Sequence, residues 1–267
     1  MKLQLKLNIM KKIILLFTLL FTITTSAQYT ILSAVQLNDG AEDSYLKLEE
    51  FFGPVHDLAV KKGIEDLQAV FKVISESEDE NAPHYIIISN FSSKEQLDAY
   101  NKSWADGDWL GLAKEAYKGN MSSRAVTRFL NGLGNESKDR RNYHLVGVDA
   151  TIWSGGDLMP GERMVITPTQ ALNDDFESYE TEFWKPYVEK SIIKGTHRYW
   201  GLSEVYEKSE TAYDGISHFF FNVMVEGGSM TDGTPNDSFK FQKLQEGLNA
   251  SSQHADPITI ELVSLHN

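Results

Sequence analysis

The chain has 267 residues, with 25 Lys+Arg against 38 Asp+Glu and no cysteine. The missing cysteine excludes disulfides, thiolate metal sites and a lipid-modified cysteine. The net charge of −13 makes nucleic acid and anionic lipid poor partners.

Residues 1–27 read as a signal peptide. Lys2, Lys6, Lys11 and Lys12 form a basic start, and Ile13 to Ile23 is an apolar run too short for a membrane span. Thr25-Ser26-Ala27 supplies small residues at the cleavage positions, and either Met1 or Met10 serves as a start. An uncleaved anchor helix is the alternative. Removing four lysines leaves 21 basic residues, so the mature chain carries 21 − 38 = −17. It is exported in this reading, periplasmic or extracellular, with no stable membrane insertion once the leader is gone.

Tyr29 to Leu37 reads as a strand and Asn38-Asp39-Gly40 as a turn. A helix follows from about Asp43 to Lys62, with Phe51, Val55 and Leu58 on one stripe. Leu67 to Ile74 is a strand with Leu67, Ala69, Phe71 and Val73 on one face. Ser75 to Pro83 is an acidic turn, and Tyr85 to Ile88 a buried strand. Ser93 and Asp108 are N-cap candidates for two helices, the second from Trp109 to about Tyr117. Ala125–Leu130 and Tyr143–Trp153 compete for the next strand. Composition and length favour Tyr143–Trp153, which makes Ser122 to about Gly132 helical and Asn135 to Asn142 a loop.

Ser154-Gly155-Gly156-Asp157 and Pro160-Gly161 mark a seam, after which the order repeats. Met164–Ala171 is a strand, Phe176–Lys194 a helix, and Tyr199–Tyr206 and His218–Val225 are strands. Gly227–Asp237 is a loop, Ser238 caps a helix over Phe239 to about Asn249, and Pro257–Leu265 is the last strand. The two long helices share a signature. Pro54 matches Pro186 and Gly63 matches Gly195, and 186 − 54 and 195 − 63 both give 132. Each proline predicts a kink, or else opens a separate helix in its first turn, and each Lys-Gly predicts a left-handed stop.

The chain is therefore α+β, with two tandem β-α-β-β-α-β ferredoxin-like units over 28–155 and 156–267 forming an intrachain pseudo-dimer. Whether further chains join is left open. The element order, the doubling and the segment Phe183-Trp184-Lys185-Pro186, Lys194-Gly195, Trp200-Gly201-Leu202 resemble the dimeric α/β-barrel superfamily. Its members include antibiotic-biosynthesis monooxygenases, NIPSNAP-like proteins and exported bacterial proteins of unknown role. Haem-degrading members carry an asparagine near the first strand, then a tryptophan and a histidine on the later helix. Asn38, Trp104 and Trp109 can be nominated, but no histidine follows before His144. The resemblance thus implies no catalytic residue, and the cofactor stays unassigned.

The seven histidines show no His-Glu-x-x-His and no i, i+4 pair, so no metal site is expected. The acidic run Glu76 to Glu80 lacks the glycine and spacing of a calcium loop. No nucleophile elbow or phosphate loop occurs. What remains is a small apolar or aromatic ligand held between a long helix and its sheet. The second unit is the favoured site, with Trp184 and His218 as the leading pair beside Tyr187 and Trp200; Tyr199 and Trp200 point to opposite faces. In the first unit they are Phe52, Val55 and His56, with His56 where the second has Val188. Two other readings stand beside this one: a cofactor-free or haem-linked monooxygenase, and a structural or interaction module.

Cleavage between Ala27 and Gln28 is expected, so the intact mass of the exported protein should correspond to a chain beginning at Gln28. A mass that retains the leader would refute it.

Overall fold

The structure, a computed structural model, describes residues 28–132, 135–225, 228 and 238–267. Among the described residues nine strands form: β1 (Tyr29–Leu37), β2 (Leu67–Val73), β3 (Tyr85–Phe91), β4 (Ser137–Ala150), β5 (Arg163–Ala171), β6 (His197–Lys208), β7 (His218–Met224), β8 (Ser252–His254) and β9 (Ile258–His266). The helices are α1 (Glu42–Lys61), α2 (Lys94–Ala105), α3 (Trp109–Ala116), α4 (Ser123–Leu130), α5 (Phe176–Ser178), α6 (Lys185–Ile193) and α7 (Phe239–Ser251), with a π-helical turn over Tyr179–Trp184 between α5 and α6.

Eight strands close into one antiparallel barrel in the order β6-β4-β1-β3-β2-β9-β5-β7, and β8 extends β5 outside it. The first four strands run β4-β1-β3-β2. The later ones run β9-β5-β7-β6, the same order by position within each half. Two seams join the halves, β4 to β6 and β2 to β9.

Alternation along the strands builds two layers of packing. One face of each strand fills the barrel: Leu32, Phe71, Ile88, Leu145, Ile166, Phe219 and Ile260 belong to one cluster drawn from both halves. The other face is covered by helices. In the first half α1, α3 and α4 pack through Phe51, Val55, Trp109 and Val126. In the second, Phe176 and Val188 pack on Trp200, Leu202 and Phe220. At one mouth of the barrel, Gln28, Asn267 and the crossing segment residues Trp153, Asp157 and Leu158 line one cavity of about 320 Å³.

Most local signals act as expected. Ser93, Ser122 and Ser238 each accept a backbone N–H at a helix start. Gly63 and Gly195 are left-handed at φ 68° and 76°, directly after the long helices. Asp108 precedes α3 without a side-chain cap bond. The predicted loop over Asn135–Asn142 is mostly strand: β4 begins at Ser137 because Asp139, Arg140 and Arg141 pair with Gln36, Val35 and Ala34 of β1. Tertiary pairing overrides a charged composition here, and Arg141, 2% exposed, is neutralised by Asp139 at 3.0 Å. The same strand stops at Ala150, not Trp153. The expected leader and most of the Gly227–Asp237 loop lie outside the described residues.

The two prolines act differently. Pro54 sits inside a single 20-residue α-helix. Pro186 instead lies in the first turn of α6, directly after the π turn. In a first turn the missing N–H costs little.

Fragments 28–155 and 156–267 made separately should be insoluble, or soluble only together, because each alone exposes a half-barrel face and two strand edges. Co-expression and size-exclusion chromatography test this; a monomeric, cooperatively folded fragment would contradict it.

Candidate functional site

Two cavities lie between a long helix and the outer face of the sheet, one in each half. The first, about 560 Å³, lies under α1. Tyr45, Leu48, Glu49, Phe52 and His56 form its roof, all on one helical face. The sheet supplies its floor through alternate residues, Ile31 and Ser33 of β1, Ile87 and Ser89 of β3, and Asn142 and His144 of β4. Tyr100 and Trp104 of α2 close one side, with Trp104 stacked on Trp109 at 4.2 Å.

The chemistry of this cavity centres on His56. The residue is 7% exposed, and its Nδ1 lies 2.7 Å from Oε1 of Glu65, which is fully buried. The contact orients the imidazole, and Nε2 has no protein partner among the described residues. Burial raises the carboxyl of Glu49, against the lowering effect of the Tyr45 hydroxyl beside it. Arg140 is the one guanidinium lining the cavity. Among the described residues no cluster of three metal-ligating side chains exists. If a haem were bound here, His56 would be the residue able to ligate its iron and Arg140 the cation able to face a propionate.

The second cavity, about 320 Å³, lies under the π turn. Its walls include Glu180, Trp184, Trp200, Phe220 and His254. Positions 132 apart line the two cavities: 180 − 48, 184 − 52 and 200 − 68 pair Glu180 with Leu48, Trp184 with Phe52 and Trp200 with Gln68. Glu180 is 3% exposed, and no hydrogen bond or cation meets its carboxyl among the described residues. Burial alone pushes that carboxyl up to about 8 from the ordinary 4.5. His254 is held by Thr169 Oγ1 at 2.9 Å and Ser252 Oγ at 3.3 Å, and burial lowers its pKa.

The residues singled out in the sequence divide between these places. His56 and Phe52 line the first cavity; Trp184 and the fully buried Trp200 line the second. Tyr187 packs into a helix–helix cluster with Phe241, Leu244 and Leu248. His218 is pinned by Ser217 Oγ at 2.9 Å and Glu177 Oε1 at 3.2 Å, with Phe176 edge-on, and lines neither cavity. Tyr199 points into the barrel, opposite to Trp200. Sequence reasoning did not single out Glu65, Glu49 and Glu180. The 132-residue offset carried the signal for Glu180, a carboxyl standing where the other helix has Leu48.

Because Glu180 holds its proton more tightly when folded, its contribution to stability is complete below about pH 4.5 and declines as pH rises through about 8. Glu180→Gln removes that decline. The variant should gain on wild type by about 4 kcal/mol between pH 5 and pH 9, at up to about 1.4 kcal/mol per pH unit. Urea unfolding at both pH values measures it, and parallel pH profiles would show that the carboxyl ionises freely.

No protein-family model matches the sequence, and no curated protein matches it. Solved structures do. A candidate monooxygenase from Fusobacterium nucleatum aligns over 91% of this chain and 96% of its own, with TM-score 0.55 and 10% identity. An anthrone oxidase-like protein aligns over 91% and 93%, with TM-score 0.53 and 12% identity. A candidate monooxygenase from Lactobacillus acidophilus aligns over 90% and 96%, with TM-score 0.50 and 10% identity. At such identities the likeness is one of fold: the chain is a mixed α+β protein with the dimeric α/β-barrel fold.

Proposed function

We propose that this is an exported protein, not lipid-anchored, that binds a small aromatic molecule in the cavity under α1. The observation that carries this reading is the buried His56–Glu65 pair beside a 560 Å³ space that His56 lines together with Phe52, Tyr100 and Trp104. Glu49, Gln68, Asn101, Arg140, Asn142 and His144 share the lining with these aromatic side chains, so a small aromatic molecule carrying polar groups suits it. The reading also takes the two halves as tandem ferredoxin-like units forming an intrachain pseudo-dimer. The common strand order and the 132-residue offset of the cavity positions support it.

The same pair favours a second reading, an oxygenase that works without a cofactor. A histidine oriented by a carboxylate is a general base. Nε2 would take the proton of a phenolic hydroxyl, Glu65 would stabilise the imidazolium, and the electron-rich anion would be the species open to dioxygen. The monooxygenase and anthrone oxidase-like descriptions of the fold neighbours agree with this reading.

The test uses the full chain and 1-naphthol, followed by calorimetry and an oxygen electrode. Binding should weaken on Trp104→Leu. Oxygen uptake, if the enzyme reading holds, should fall about 10²-fold or more on His56→Gln with affinity changed only a few-fold. Binding without oxygen uptake leaves a binder; a Soret band in the purified protein would favour haem chemistry. If neither 1-naphthol nor a broad aromatic library binds, the proposal fails.

A further inference from the structure

The second cavity has its own chemistry, independent of His56. Glu180 is the second residue of the π turn, and wide turns of this kind are frequent at functional sites. An ordinary structural carboxylate this deep would be paired, because an isolated buried charge is prohibitively costly. Glu180 has no partner among the described residues, yet it faces an open space walled by Trp184, Trp200 and Phe220. A carboxyl buried without partners keeps its proton and presents an O–H donor, here beside the side chains of Asn222, Gln245 and Asn249, which line the same space.

We propose that the cavity under the π turn binds an uncharged planar aromatic ligand bearing a carbonyl acceptor, with the indoles of Trp184 and Trp200 against its rings and the Glu180 O–H donating to its oxygen. Anionic ligands are disfavoured, since nothing in the cavity lining is cationic. The first cavity differs at this position, where Leu48 offers no donor.

Surrounding groups leave Glu180 as the titrating element. His254 shares the cavity and His197 lies on the adjacent β6; burial lowers the pKa of both, so they are neutral at pH 7 and above. On the helix itself Glu177 is engaged by His218, Lys185 by Asp149 at 2.7 Å, and Glu182, Glu189 and Lys190 are exposed. On α7 Lys243 pairs with Glu246 and Lys240 is exposed.

The experiment compares 9-fluorenone with fluorene, the same ring system without the oxygen, by calorimetry on the full chain at about pH 7 and about pH 9.5. Wild type should prefer fluorenone about tenfold at the lower pH, the gain of one hydrogen bond, and lose the preference at the higher pH. Glu180→Gln should keep the preference at both pH values, because the amide still donates. Glu180→Leu, the residue of the matching position, should bind both compounds equally. His56→Gln should change none of this, which separates the site from the cavity under α1. A preference that survives Glu180→Leu, or no fluorenone binding to wild type, would overturn the proposal. Should the leucine variant not fold, a pH-dependent preference that persists in Glu180→Gln would overturn it equally.

Discussion

Everything in this molecule depends on closure of the barrel. A four-stranded sheet covered by helices on one face leaves its other face apolar, and here each half buries that face on the other. Leu145 and Ile260, both at 0% exposure, come from opposite halves and share one cluster. Closure also removes strand edges, since β4 finds β6 and β2 finds β9. The helices are thereby released from sealing the core, and their undersides can carry polar groups. Titratable side chains accordingly line the cavities under the helices, among them Glu49 and His56 in one half and Glu180 and His254 in the other.

The halves use this freedom differently. Under α1 a buried histidine and a buried glutamate pair through one hydrogen bond, which leaves Glu65 Oε2 without a partner. Under the π turn a single carboxyl stands without a partner and remains protonated instead. One position is solved by pairing, the other by neutralisation. These are the two ways in which a protein interior accepts an acid. The backbone follows the same division, with a regular helix over the paired site and a widened turn over the lone one.

Much of the architecture was legible in the sequence. Strand alternation, serine caps and left-handed glycines are local signals, and the structure uses them where they stand, as at Ser93, Gly63 and Gly195. The start of β4 was not legible, because Asp139-Arg140-Arg141 is extended only by virtue of its pairing with β1, a contact about 100 residues away in sequence. The site was legible in part. His56, Trp184 and Trp200 stand at helix and strand positions that periodicity turns toward the helix–sheet layer. Periodicity cannot say which of two equally buried rings borders a space and which is packed solid, and so Tyr187 and His218 fell on the packed side. Glu65 lies in a connection between elements, where no period exists to read.

One mouth of the barrel gathers Gln28, Asn267 and the crossing segment around Trp153 and Leu158. The start of β1 and the end of β9 therefore lie at the same mouth, and the segment between the halves passes it midway. The order of the halves along the polypeptide is then a matter of which of two neighbouring gaps is bridged. Joining residue 267 to residue 28 through a short linker and opening the backbone at Gly156 would reverse the order of synthesis while leaving every strand neighbour in the barrel unchanged. The fold in this sense is a ring, with no intrinsic first half.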